Sequence, residues 1–324
     1  MQPTQPTQQP TCQQATRLSI GVFDSGLGGL TVVREIVAQM PEVAITYIAD
    51  QAHVPYGERP LPEVERFALG LTNHLIRAEN ASLVVMACNI SSSVALSSAR
   101  ALVGADAVLG VIEPGVGHAL SVTRNQRVGV LATTGTVKSG AYSETFRRLA
   151  PNTEVVEVAC PEFVPLIEAS RIEDEEAREA AARRLAPLIA ANVDTIVLGC
   201  THYPLMLKTL ESVLGLTAAR IRFVDPARAT AAAANGLFPS LPSPHTVPTV
   251  PPAPGPQPCE TQHAPKHTWM TTGDPAAFRT QLERFAPELL AHGVVRALRW
   301  DEIAAPNAPG ATQDARTRAE RTGS

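Results

Sequence analysis

Residues 20–26 read IGVFDSG and residues 128–135 read VGVLATTG. In each, an apolar run ends in small hydroxylated residues and glycine. A second pair repeats the relation: residues 83–89 read LVVMACN, and residues 195–201 read TIVLGCT. The offsets between first residues, 108 and 112, are nearly equal. Near-continuous apolar runs of this kind are what a parallel sheet needs when both of its faces are covered. The echo predicts two similar α/β halves, each with one cysteine just past the carboxyl end of a strand. Open α/β sheets bind ligands at that end of their strands.

Outward from these runs, strand-like and helix-like patterns alternate. Strands are expected at Leu18–Phe23, Ala44–Ile48, Leu83–Ala87, Val108–Val111, Val128–Leu131, Val155–Val158, Thr195–Leu198 and Ile221–Val224. Helices are expected at Leu30–Met40, Leu61–Glu79, Ser91–Val103, Ser139–Ala150 and Ile172–Asn192. The fold class that follows is α/β, with two similar doubly wound parallel-sheet domains facing each other across a central cleft. The segment HTWMTTGDPAAFRTQLERF (267–285) adds a strand-like piece and a helix, and the residues alone do not say which half takes them.

Composition narrows the function. The chain has 324 residues, with 27 basic against 31 acidic side chains and a net charge of −4, so it has no basic footprint for nucleic acid. No apolar run reaches the ~20 residues of a membrane span, and the N-terminus lacks the apolar core of a signal peptide. Five cysteines, odd in number and irregularly spaced, make no disulfide framework, and a reducing, cytoplasmic setting is the simplest reading. Residues 1–17 read as a disordered lead-in and 304–324 as a disordered tail. The proline-crowded stretch 239–265 reads as an extended linker or surface loop.

Each thiol must then be core, ligand or catalyst. A lone cysteine after a strand is most simply a small core residue. Cys88 and Cys200 form a matched pair, each preceding a polar residue (Asn89, Thr201) after which more polar residues begin a helix, and the pairing favours chemistry. A helix N-terminus lowers a thiol's pKa toward neutrality. Two thiols flanking one carbon suit removal of a proton from one face and delivery of another to the opposite face. Asp24 reads as a helix N-cap, as a carboxylate that holds an ammonium group, or as both. Gly26, Gly28 and Thr31 miss the dinucleotide fingerprint, which needs glycine at the third position. His202 reads as the tuner of Cys200 or as a strand-end imidazole, and Asp50 as a supporting carboxylate. Glu168 is unremarkable on composition. Cys160 reads as core, and the run Glu173–Glu176 as a solvated helix start. Cys259, His263 and His267 have ligand-like spacing but no second cysteine, so metal binding is set aside.

The set GVFDSGLGGLTVVREI, VPYG, MACN, GVLATTGTVKSGAY, LGCTHYPL and TTGD resembles the motifs of bacterial glutamate racemases from about residue 18 to 303, outside the proline-rich stretch. The resemblance implies a homodimeric enzyme that interconverts L- and D-glutamate without cofactor or metal and supplies D-glutamate for peptidoglycan. It implies Cys88 and Cys200 as acid/base thiols, Asp24 and His202 as their respective assistants, and Asp50 and Glu168 as auxiliary acids. Substrate contacts carry over to Asp24, Ser25, Tyr56, Gly57, Asn89, Ile90, Thr201 and His202. It also implies that the C-terminal segment returns to the first domain, giving residues 18–112 plus 226–303 against 113–225. Ile90 departs from the pattern, which has Thr after ACN. Its backbone amide is kept and a hydroxyl is lost. Composition does not fix the length of the substrate's side chain, so aspartate is the alternative amino acid.

Overall fold

The computed structural model describes residues 18–237 and 267–303. The segments 1–17 and 304–324, and the proline-rich stretch 239–265, lie outside the described residues, as do Cys259 and His263. Among the described residues, ten strands form two sheets. The first contains β1 (Ser19–Asp24), β2 (Ala44–Ala49), β3 (Leu83–Met86), β4 (Val108–Gly110), β9 (His267–Thr271) and β10 (Gly293–Ala297), in the order β10-β9-β2-β1-β3-β4. The second contains β5 (Arg127–Ala132), β6 (Glu154–Ala159), β7 (Thr195–Gly199) and β8 (Arg222–Val224), in the order β6-β5-β7-β8. Every strand pair is parallel.

The echo in the sequence is a repeat of topology. The order β2-β1-β3-β4 in one sheet matches β6-β5-β7-β8 in the other, so IGVFDSG and VGVLATTG lie on corresponding central strands. The same holds for the strands that lead to Cys88 and Cys200. Side chains of β3 and β7 are buried throughout, as expected of sheets covered on both faces. The halves are alike in plan and unequal in size, with six strands against four. The extra two come from the C-terminal segment: β9 pairs with β2, and β10 pairs with β9, which extends the first sheet. Apolar clusters cover both faces of each sheet; Trp269, Tyr47, Ile20 and Phe278 sit in one, and Leu131, Ile196, Phe163 and Tyr203 in another.

Local chemistry explains where the helices differ from the sequence reading. The expected helix Ser139–Ala150 is observed as Ala141–Leu149, and a further short helix, Thr134–Ser139, precedes it across Gly140. That glycine takes φ +67°, a left-handed conformation that ends a helix without steric cost. The expected helix Ile172–Asn192 starts later, at Glu175, because the Asp174 side chain accepts from the Ala177 amide and caps it. Arg171 pairs with Asp174 and Glu176 there, so the acidic run is a solvated cap region.

Candidate active site

The carboxyl ends of β1 and β3 face those of β5 and β7 across a small cavity of about 60 Å³. Its lining comes from both halves: Ser25, Tyr56, Gly57, Cys88, Asn89 and Ile90 from the first, Cys200, Thr201 and His202 from the second. Both predicted thiols therefore open on one space, and both are nearly buried, Cys88 at 5% and Cys200 at 7% exposure. Thr133, Thr136, Cys160, Pro161 and Val164 also line the cavity and were not anticipated. Thr133 was readable, since it holds in VGVLATTG the place that Ser25 holds in IGVFDSG. Cys160 is fully buried, as expected of a core residue, yet borders the cavity.

The two cysteines sit on unlike local structures. Cys88 is the N-cap of the helix Asn89–Val103, which starts two residues ahead of the expected Ser91. Cys200 leads into a turn and the short 3-10 helix Tyr203–Met206, so no α-helix begins at it. The Cys88 thiol is aimed at Ser25 Oγ, 4.0 Å away. Burial and then the Asp24 carboxylate push the Cys88 thiol up to about 12, against an ordinary value of 9.0. This corrects the expectation of a thiol lowered toward neutrality. Removing a thiolate from water at this site outweighs the helix terminus.

On the other side, His202 Nδ1 lies 3.9 Å from Cys200 Sγ, and its Nε2 lies 2.8 Å from Glu168 Oε1. Burial works against the imidazolium. Hydrogen bonds to the Cys200 thiol and the Glu168 carboxylate outweigh it, and His202 is held well above its ordinary pKa. Glu168 ends the helix Phe163–Glu168 and borders a neighbouring recess rather than the cavity itself. His202 is thus engaged on both ring nitrogens, by Cys200 and by Glu168, rather than standing as an idle strand-end imidazole.

Asp24 is fully buried and is not a helix N-cap. The following helix starts at Leu30 with Gly29 at its cap. Asp24 Oδ2 accepts from the Gly26 amide at 3.1 Å, and Oδ1 accepts from Thr201 Oγ1 of the other half at 3.2 Å. A second bond spans the cleft, from the Tyr142 hydroxyl to Asn89 Oδ1 at 2.7 Å. Glycines permit this close approach. A Cβ on Gly28 would stand 2.3 Å from Thr201 Oγ1 and 2.7 Å from His202 Nδ1. A Cβ on Gly135 would stand 2.3 Å from Ile90 Cδ1, so the buried Ile90 side chain reaches across to the second half.

Asp50 is placed apart from the cavity, with a carboxylate enclosed by donors. It accepts from the Tyr56 hydroxyl, from Thr272 Oγ1 at 2.6 Å and from Trp300 Nε1 at 2.8 Å, with His53 Nδ1 at 3.0 Å. Tyr56 lines the cavity, so Asp50 bears on the site through Tyr56. Among the described residues no cluster of histidine, cysteine and carboxylate side chains could hold a metal ion, and no helix is long and apolar enough to cross a membrane.

Known proteins resemble this chain in sequence and fold. A family model for Asp/Glu/hydantoin racemases matches residues 20–234. The chain is 40% identical over 285 residues to a glutamate racemase of Parafrankia sp., an alignment covering 86% of this chain and 94% of the relative. The solved glutamate racemase of Bacillus anthracis matches with a TM-score of 0.73 at 29% identity, over 87% of this chain and 98% of its own. That of Francisella tularensis, solved in complex with D-glutamate, matches with a TM-score of 0.72 at 27% identity, over 88% and 99%. Two strand-end thiols on a duplicated α/β plan, together with matches of this extent, establish that the chain belongs to the Asp/Glu/hydantoin racemase family, among its glutamate racemases.

Proposed function

We propose that the chain interconverts L- and D-glutamate by direct proton transfer at the α-carbon, with Cys88 and Cys200 acting from opposite faces. The thiolate of one cysteine takes the α-proton and becomes a thiol. The electron pair stays on the substrate, spread into its carboxylate. The other cysteine starts as a thiol, gives its proton to the opposite face and becomes the thiolate. Protons and charge balance, and the exchanged roles suit the reverse reaction. The observation that carries this reading is the pair of strand-end cysteines from facing halves bordering one buried cavity.

The surroundings support a zwitterionic amino acid. Ser25, Asn89 and Thr201 offer donors and acceptors to its carboxylate and ammonium groups, and the Ile90 amide is free of the helix's own ladder at its first turn. Tyr56 and Gly57 close one wall, with Asp50 fixing Tyr56. Asp24 is the carboxylate suited to the substrate ammonium. A cation beside Asp24 and Cys88 adds positive charge there and brings the Cys88 thiol down from about 12. His202, held in place by Glu168, supplies the matching positive charge beside Cys200.

The reading extends to a cytoplasmic homodimer that supplies D-glutamate for peptidoglycan, divided into residues 18–112 plus 226–303 and residues 113–225. It is supported by the motif resemblance and by relatives named as glutamate racemases. Purified protein incubated separately with L- and D-glutamate should carry each solution to zero circular dichroism. A kcat/KM higher for aspartate than for glutamate, or ellipticity that never decays, would overturn the assignment.

A further inference from the structure

Three serines follow Ile90, and two are committed. Ser92 Oγ donates to the Met86 carbonyl at 2.8 Å and accepts from the Val111 amide at 3.2 Å, while Ser93 Oγ donates to the Ile90 carbonyl at 2.7 Å. Ser91 is fully buried, and its hydroxyl pairs with no nitrogen or oxygen. A buried hydroxyl without a partner is costly, so its persistence calls for an explanation. Its position supplies one. Cys88 is the N-cap of the helix Asn89–Val103, which makes Ser91 the third helical residue. An N-cap acceptor takes its hydrogen bond from the amide of the second or third residue. The neutral thiol is a weak acceptor and closes no capping bond in the resting site; a thiolate is a strong one.

We propose that Ser91 is a positioning residue for Cys88: its hydroxyl and amide, set beside the sulfur by the helix, hold Cys88 as the thiolate that takes the substrate proton. Burial and Asp24 oppose that thiolate, and the Cys200 sulfur across the cavity opposes it further; the hydroxyl and amide of Ser91 are the groups that favour it. Tyr47 and Tyr56 also feel the charge of Cys88 from neighbouring elements, and Ser25 lies beside the thiol. The inference deepens the two-thiol reading and rests on it for its catalytic consequence. The effect on the sulfur itself is measurable without turnover.

The test is Ser91→Ala, which removes one oxygen and keeps the helix. In the ligand-free protein, alkylation of Cys88 by iodoacetamide is followed by mass spectrometry of its peptide between pH 8 and pH 10, with Cys200 as internal reference. Loss of one hydrogen bond to the thiolate should slow Cys88 by about fivefold to tenfold at each pH and leave Cys200 unchanged. In the direction where Cys88 takes the proton, kcat should fall by a similar factor with KM little altered. Cys88 rates within twofold of wild type, or an equal slowing of both cysteines, would overturn the proposal. If wild type fails to racemise glutamate while Ser91→Ala still slows Cys88 selectively, the two-thiol reading falls and the role of Ser91 stands.

Discussion

Cys88 and Cys200 hold equivalent places on a repeated plan and face opposite electrical surroundings. A carboxylate stands beside the first, and an imidazolium backed by Glu168 beside the second. Burial, reinforced by Asp24, pushes the Cys88 thiol up to about 12, and this has a direct consequence. Its alkylation should climb by about a factor of ten per pH unit through pH 10 without levelling, because the thiolate is the reactive species. A plateau near pH 8, read from the Cys88 peptide, would show a thiol of ordinary acidity. Glu168→Gln tests the other side. Without the carboxylate, burial is opposed by Cys200 and Asp24 only, and the pKa of His202 falls. The alkaline limb of kcat/KM should then move to lower pH. Stability follows the same sign. A raised histidine stabilises the fold fully below the usual 6.5, and that contribution is lost as pH rises through the raised value. The urea-denaturation gap between wild type and Glu168→Gln should therefore be widest below pH 6.5 and narrow above it.

At the level of strands and loops, the turn after β1 does the positioning. Gly28 lets this turn reach Thr201 and His202, and Gly28→Ala places a methyl group where Thr201 Oγ1 stands. The β7 loop must retreat, so kcat/KM should fall at least tenfold (on the order of 1.4 kcal/mol) while the far-ultraviolet spectrum is unchanged. Wild-type turnover in that variant would mean that the spacing of the two loops is not critical. The sequence revealed such elements unevenly. Strand runs such as LVVM and TIVLG are legible because burial on both faces requires unbroken apolar residues. Helix limits were less legible, because single residues decide them: Gly140 parts an unexpected short helix from the expected one, and Asp174 delays another. β10 was invisible because GVVRA is a half-exposed edge strand with little apolar contrast. Glu168 was unremarkable on composition and was pointed to by the family resemblance alone, since only the fold brings it to His202.

Over the whole molecule, the repeat explains why one cavity has a thiol on each side, and two cross-cleft hydrogen bonds tie the halves around it. Tyr142 is fully buried, and its hydroxyl satisfies Asn89 Oδ1. Tyr142→Phe leaves that buried acceptor unpaired and should cost about 1–3 kcal/mol of stability by urea denaturation. A loss near zero would mean that water replaces the bond at once and that the halves are held by other contacts. The duplicated plan, the paired cysteines and the return of the C-terminal segment toward the first sheet were all foreseen, the last from the family resemblance alone. The six-against-four inequality and the depth of Cys88 were not, because both depend on how segments distant in sequence pack together.

Solvent deuterium at the α-carbon reports most directly on two thiols acting from opposite faces. L- and D-glutamate are each incubated in heavy water with wild type, Cys88→Ser and Cys200→Ser, and the label in both enantiomers is followed by mass spectrometry. Wild type should label the product enantiomer from either side, and each serine variant should lose at least a hundredfold in racemisation. Racemisation and labelling near the wild-type rate in either variant would show that one thiol suffices and that the paired geometry is not the catalyst.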